Sequence, residues 1–392
     1  MRDKALAIFN AGVAAADPYK AVASHLHGIE APALVIAVGK AAPAMARAAL
    51  ERFIDTPCIV VTNYENAADL AGATVYAAGH PVPDENGAIA ARAVIAALDQ
   101  ATGPVLALIS GGGSALLPAP AGALTLDDKA AVNALLLGSG LDIKAMNLIR
   151  QQLSTLKGGG FLRHAAPQNV TAFILSDVIG NDLAAIASGP TVGPIGTAKD
   201  AIALLKRADV WERVSEVVKD HLLKAAPHTL LPPAHNILVG SNDISVAAMA
   251  KAADDAHVIP IPVEGDVAQA AKLICDHAVI GITVWGGETT VVLHGNGRGG
   301  RNQELSLRIA QEAQARGWTD WVCLQGGSDG RDGPTDAAGG VVDHDTLGKI
   351  PDLDALLANN DSYTALAKAG DLLVTDATGT NVADLGVMIR RG

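Results

Sequence analysis

The chain has 392 residues, enough for two or three domains at the usual ~100–200 residues each. A net charge of −12 with no basic stripe excludes nucleic acid as a partner, and no apolar run approaches the ~20 residues that span a bilayer. Apolar residues are 49% but aromatics only 3%, so Ala, Val, Leu and Ile must fill the interior, which suits helices packed closely on parallel sheets.

The opening MRDKALAIFNAGVAAADP reads as an amphipathic helix rather than a secretory leader, so a soluble cytoplasmic protein is expected. ALVIAVGKAAPAMARAAL reads as a buried strand that stops at Gly39-Lys40 and passes into an Ala-rich helix. PCIVVTN and TVYAAG are two further strands, and GHPVPDENG is a turn with Asn86 as N-cap of the next helix. VLALISGGGSALLPAP is a strand ending in three glycines. Two helical segments follow, the second (LDIKAMNLIRQQLSTLKGGG) carrying Lys144, Asn147, Arg150, Ser154 and Lys157 on a polar face. VTAFILSD is a strand ending at Ser176-Asp177, with a loop through Gly180, Asn181 and Asp182 to Ser188 and Thr191.

Surface helices lead to the linker HTLLPPAH, whose Pro232-Pro233 marks the expected boundary between domains 1–232 and 236–392. HNILVGSN restarts a β-loop-α pattern, with helices from Asp243 to Asp255 and from Val267 to His277. VWGGETTVVLHGNGRGGRNQELSLRIAQEAQ reads as a strand, a Gly-rich turn, a second strand, a wider Gly-rich loop and a helix opening on Arg301. DWVCLQGG is a strand before a loop holding Asp329, Asp332 and Asp336, and LGVMIR is the last strand. Strands alternate with helices throughout, so the fold class is α/β with mostly parallel sheets.

Glycine loops at Gly39, Gly111–Gly113, Gly240, Gly286-Gly287 and Gly326-Gly327 imply a ligand-rich edge, because glycine lets the backbone approach an anion at a helix N-terminus. Gly295, Gly297 and Gly300 satisfy G-x-G-x-x-G, but the next strand ends in Gly326-Gly327 and offers no acid for a ribose. For Ser114, a phosphate-loop hydroxyl, an N-cap and a nucleophile stand as alternatives. Lys40 is placed to reach a phosphate or carboxylate, or to be solvated, and Arg301 to grip an anion bidentately, or to pair with Glu304. Asp177, Asp182, Glu288 and Asp329 follow strands, where carboxylates hold Mg²⁺, take a hydroxyl proton or cap a turn. The histidines, including His80 and His294, show no zinc spacing, and Cys58, Cys275 and Cys323 read as buried reduced thiols.

Taken in order, GHPVPDENG, SGGGSALL, NLIRQQLSTLKGGG, SDVIGNDLAAIASGPT, GGETT, GRGGRNQELSL, GSDGRDGPTDAAGG and TGTNVADL resemble the glycerate 2-kinase family over nearly the whole chain. The resemblance implies a Rossmann-like N-terminal domain, a C-terminal α/β MOFRL domain and an active site in the cleft between them. It implies transfer of phosphate from ATP, with Mg²⁺, to the 2-hydroxyl of D-glycerate, by a monomer or homodimer. The positions matching the family's catalytic groups are Lys40, Arg301, Asp177 and Asp182. Gly111, Gly112, Gly113, Ser114, Lys157, Gly297, Gly299 and Gly300 are expected to bind phosphate, and Ser110, Asn147, Arg150 and Asn302 the acid. Asp177, Glu288 and Asp329 are expected at the metal. An NAD(P)H-dependent hydroxypyruvate reductase and a non-catalytic small-anion-binding protein are the alternatives.

Overall fold

The computed structural model describes residues 1–226 and 230–391. It opens with α1 (Arg2–Ala15) and α2 (Pro18–His25), then β1 (Leu34–Val38), α3 (Ala42–Arg52), β2 (Cys58–Asn63), β3 (Ala73–Ala78), α4 (Glu85–Asp99) and β4 (Val105–Ile109). Next come α5 (Gly113–Leu116), α6 (Leu126–Leu137), α7 (Ile143–Gln152), α8 (Gly160–Ala165), β5 (Val170–Leu175), α9 (Ala198–Arg207), α10 (Glu216–Lys224) and β6 (Ala234–Gly240). The rest holds α11 (Asn242–Ala252), β7 (His257–Val258), β8 (Val263–Asp266), α12 (Val267–His277), β9 (Gly281–Thr290), α13 (Arg301–Ala315), β10 (Trp321–Gly327) and β11 (Gly339–Asp343). It closes with α14 (Leu353–Ala358), α15 (Ser362–Ala369), β12 (Leu372–Leu373) and β13 (Asp384–Arg390).

These elements form two compact units. One comprises Pro18–Leu175 and Gly180–Val239, the other Met1–Asp17, Ser176–Ile179 and Gly240–Gly392. The first is built on a six-stranded sheet in the order β3-β2-β1-β4-β5-β6, with β1 parallel to both β2 and β4. β1 and β4 are apolar runs buried at every position, as strands covered by helices on both faces must be. The order reverses at β1 and β4, so the loops after these two strands meet at the topological switch point, where open α/β sheets hold ligands.

The second unit has a seven-stranded sheet, six strands in the order β12-β11-β10-β13-β9-β7 and β8 paired to β9 off that path. β10, β11, β12, β13 and β9 pair antiparallel, and only β7 and β8 run parallel to β9, which corrects the expectation of mostly parallel sheets throughout. Gly286 and Gly287 do not form a turn, because β9 runs through both of them. A Cβ on Gly286 would lie 1.9 Å from Asn242 Oδ1, and one on Gly287 2.0 Å from the Val263 carbonyl oxygen. These glycines are small because α11 and β8 press against the strand, not because a ligand approaches. The second strand expected before the wider Gly-rich loop does not form, as residues 291–300 hold none.

The expected division at Pro232-Pro233 differs from the two units in three places. β6 adds to the edge of the parallel sheet, so the chain up to Val239 stays with it. Ser176–Ile179 leaves the parallel sheet, and Ser176 N donates to Gly240 O at 2.8 Å. Helix α1 belongs with the mixed sheet. Its residues Ala5, Ile8, Phe9 and Gly12 recur at helical spacing and bury one face against α11, β10 and β13. Arg2 fastens the helix through Asp343 at 2.6 Å and Asp371 at 2.8 Å. His228 and Thr229 of the expected linker lie outside the described residues.

Phe9 is 1% exposed in this contact. Phe9→Ala should destabilise the protein by about 3–5 kcal/mol in urea unfolding, the usual loss for a buried phenylalanine. A loss below about 1 kcal/mol, within the range of surface substitutions, would mean that α1 does not pack on the mixed sheet.

Candidate active site

In the parallel-sheet unit the loops after β1 and β4 are locked together. Lys40 N donates to Gly111 O at 2.9 Å and Ala41 N to Ser110 Oγ at 3.1 Å, while a Cβ on Gly39 would lie 2.2 Å from that Oγ. Ser110 is therefore a buried brace between the two loops, and its hydroxyl is used by the protein. The Lys40 ammonium is half-buried beside this brace and makes no hydrogen bond or ion pair among the described residues. His80 stands next to it.

Lys157 was expected on a helical face, but α7 ends at Gln152 and Lys157 lies beyond it, buried. Its Nζ donates to Ser114 O at 3.0 Å and to Ser114 Oγ, and lies 3.5 Å from Ser188 Oγ; the two hydroxyls are 2.9 Å apart. Burial first, then the like charges of Lys129 and Arg150, push the Lys157 ammonium well below the ordinary lysine range. Lys157 thus bonds the serine loop instead of presenting an open ammonium. Arg150 takes Asn133 Oδ1 with Nε at 3.0 Å and Asn147 Oδ1 with Nη1 at 3.3 Å, and no carboxylate pairs with it among the described residues. Asp182 is exposed and caps Ala184 N at 2.9 Å. Asn86 does not cap α4; Asp84 does, accepting from Gly87 N at 2.9 Å.

The mixed-sheet unit carries a polar cavity of about 440 Å³, lined by Asp177, Glu288, Arg301, Asp329, Asp332 and Asp384 among others. Arg301 opens α13 as expected, but its fork is occupied by this protein's own carboxylates. Nε reaches Asp384 Oδ2 at 2.7 Å, Nη2 reaches Asp384 Oδ1 at 3.1 Å, and Nη1 reaches Glu288 at 3.0 Å. Glu304 is not its partner; that acid pairs with Arg308 at 2.9 Å.

The helix N-terminus behind Arg301 is partly filled by Asp332. Asp332 accepts from Asn302 N at 3.1 Å and Gln303 N at 2.8 Å, so two of the first amides of α13 have a partner within the protein. Gly297 and Gly299 pack against Asn359–Ser362, and a Cβ on Gly300 would lie 2.3 Å from the Asp332 carboxylate. The Gly297, Gly299 and Gly300 loop is therefore tightly packed against the protein's own residues. It is not a dinucleotide site, since β13 separates β9 from β10 and the βαβ unit of that motif is missing. Asn302 is 1% exposed, donating to Asp384 Oδ1 at 2.9 Å and accepting from Gln325 at 2.6 Å, so its side chain is used to orient the acids.

The sequence reading missed Asp384 as a site residue, and used Asp332 only as one acid of a loop. Burial pushes the Asp332 carboxyl up to about 7, against the pull of the Gln303 and Asn302 amides. Burial also raises Asp384, opposed by Arg301 and Asn302. Asp329 accepts from Arg331 N at 2.9 Å in the same cavity. Among the described residues no three His, Cys, Asp or Glu converge as a ready-made metal group. Mg²⁺ is ordinarily held by one or two carboxylates plus phosphates and water, and the cavity offers carboxylate oxygens of that kind at Asp177 and Asp329; Glu288 pairs with Arg301.

The chain matches the family model "Domain of unknown function (DUF4147)" over residues 4–223 and the MOFRL family over residues 281–384. It is 36% identical to glycerate 2-kinase of Pyrococcus horikoshii, covering 99% of this chain and 97% of that one. A putative hydroxypyruvate reductase of Agrobacterium vitis is 39% identical, with 97% and 93% covered. A crystal structure of glycerate kinase from Thermotoga maritima superimposes with a TM-score of 0.93 at 35% identity, covering 99% of both chains. Fold and sites together define a two-domain α/β protein of the DUF4147–MOFRL type. The chain belongs to the glycerate 2-kinase family.

Asp332 gives the cavity a testable pH signature. Its folded-state pKa lies above the ordinary 3.8, so the stability it contributes is fully present below that value and is lost as pH rises to about 7. The stability of wild type relative to Asp332→Asn should therefore fall by up to about 4 kcal/mol between pH ~4 and ~8 in paired urea titrations. A difference that stays flat or grows with pH contradicts this titration.

Proposed function

We propose that the protein transfers the γ-phosphoryl group of ATP, with Mg²⁺, to the 2-hydroxyl of D-glycerate. The observation that carries this reading is similarity to glycerate kinases across 99% of the chain. The geometry supports it from both units. In the parallel-sheet unit, Lys40 offers an ammonium with no protein counter-charge at the switch-point loop, which suits an anionic oxygen. Gly111–Gly113 and Ser114 form the backbone and hydroxyl lining of that loop, and Lys157 holds Ser114 in place. Arg150 and Asn147 form a second cationic and amide group suited to a carboxylate. Asp182 is an exposed acid after the β5 strand and is kept as a candidate proton acceptor.

In the mixed-sheet unit, Asp177 and Asp329 would hold Mg²⁺, and Arg301 with Asp384 and Glu288 fixes the charge around them. When bound, the cation neutralises charge on the phosphates. Phosphoryl transfer asks little covalent chemistry of a protein, so the residues' task is to position charges and exclude water. The nicotinamide reading lacks support, because the Gly295-Gly297-Gly300 loop is filled by Asn359–Ser362.

Glycerate with ATP and Mg²⁺ should give 2-phosphoglycerate, identified by product NMR, and chelation should abolish it; NADH oxidation by hydroxypyruvate without phosphoryl transfer would replace this reading with a reductase. Lys40→Ala should lose about a hundred- to thousandfold in turnover, as for a preorganised transition-state contact. Its melting temperature should stay unchanged, since no protein group depends on that ammonium. Arg301→Ala is a poor probe, because leaving Asp384 buried and unpaired typically costs about 3–5 kcal/mol. Lys40→Ala keeping more than about a tenth of wild-type turnover, far above that loss, would remove Lys40 from the site.

A further inference from the structure

His80 is absent from every expected set of site residues, yet it stands at the switch-point loop of the parallel-sheet unit. Gly112 has φ +84°, and a Cβ placed on it would lie 3.1 Å from His80 Cδ2, 3.2 Å from His80 Nε2 and 3.3 Å from Lys40 Cγ. The imidazole and the lysine stem thus flank the same glycine. A residue with a side chain at 112 would be strained by that φ and would push both groups away.

Neither nitrogen of the half-buried ring hydrogen-bonds within the described residues. Lys40 likewise has no protein partner. The charged groups facing the ring are Lys40 and Glu65, and Glu65 is engaged by Asn63. Burial, then Lys40, lowers the imidazole's pKa, so at neutral pH the ring is uncharged and has one N–H to donate. A half-buried donor with no partner, beside an ammonium with no partner, is the arrangement an oxyanion completes.

Resting on the kinase reading above, we propose that His80 contacts a reactant, donating a hydrogen bond from its ring to the anionic oxygen received by Lys40 and the Gly111–Gly113 loop. The oxygen belongs either to the acid's carboxylate or to a nucleotide phosphate. Separate titrations distinguish these two sources.

The test compares His80→Ala, His80→Gln and His80→Phe in the full chain, with wild type and Lys40→Ala alongside. Turnover is measured with glycerate, ATP and Mg²⁺, and binding of glycerate and of a non-hydrolysable ATP analogue is measured separately by calorimetry. His80→Ala should weaken binding of one of the two ligands about ten- to hundredfold, the range for a hydrogen bond to a charged group. A loss for glycerate assigns the carboxylate, and a loss for the analogue assigns the phosphate. His80→Gln, which keeps an N–H donor, should recover part of the loss, and His80→Phe, which keeps the ring, should not. Recovery by Phe but not Gln would make His80 a packing residue and overturn the proposal. If wild type is active and Lys40→Ala impaired while His80→Ala binds both ligands normally, this inference alone fails. A wild type that binds and turns over neither reactant overturns it together with the kinase reading.

Discussion

The mixed-sheet unit depends on keeping Asp384 and Asp332 out of water without leaving either unpaired. A buried carboxylate costs several kcal/mol unless charge and hydrogen bonds replace its hydration. Arg301 supplies the charge to Asp384 with two bonds, and Asn302 binds both acids at 2.9 and 3.3 Å. The first amides of α13 complete the shell around Asp332. Because Arg301 and Asn302 begin α13 and Asp384 begins β13, this one network sets where the helix starts against the sheet. The glycines before Arg301 follow from it, since any Cβ at 300 would displace the Asp332 carboxylate.

The parallel-sheet unit has the opposite balance. Lys40, Lys129, Arg150 and Lys157 have no carboxylate partner among the described residues, and Lys129 is pushed down to about 7 by burial alone. Lys157 and Lys129 respond by giving their donors to Ser114 and to the Pro118 carbonyl. Lys40 has no such outlet. In a chain of net charge −12, basic side chains with no carboxylate beside them are a specific local arrangement suited to anions, whatever the overall charge.

Where local pattern governs, the sequence was informative. The helix from Val267 to His277 is found at those bounds, and α13 does open on Arg301, because apolar spacing and helix starts are written within a few residues. β1 and β4 were legible from their unbroken apolar runs. Partner-dependent features were not. α1 packs on β13, more than three hundred residues away in sequence, so its amphipathic face was visible but not what covers it. The antiparallel character of the second sheet depends on β13 inserting between β9 and β10, which alternation of strands and helices does not encode.

The site was legible only to the level of residue types. Glycine after a strand suggests an anion site, but glycine records close approach without saying what approaches. At Gly112 the neighbours are an imidazole and a lysine stem whose polar ends make no hydrogen bond among the described residues. At Gly297 and Gly300 the neighbours are the Asn359 carbonyl, which accepts from Gly297 N, and the Asp332 carboxylate, which accepts from Asn302 N and Gln303 N. The discriminating quantity is the state of the nearby donors. Where amides and cations are matched by the protein's own acceptors the glycine serves packing, and where they are left unmatched beside a cation it serves binding. On that criterion the anion site proposed for this chain falls at Lys40 and His80, where the protein supplies no acceptor, while the acids around Arg301 are already balanced by its guanidinium.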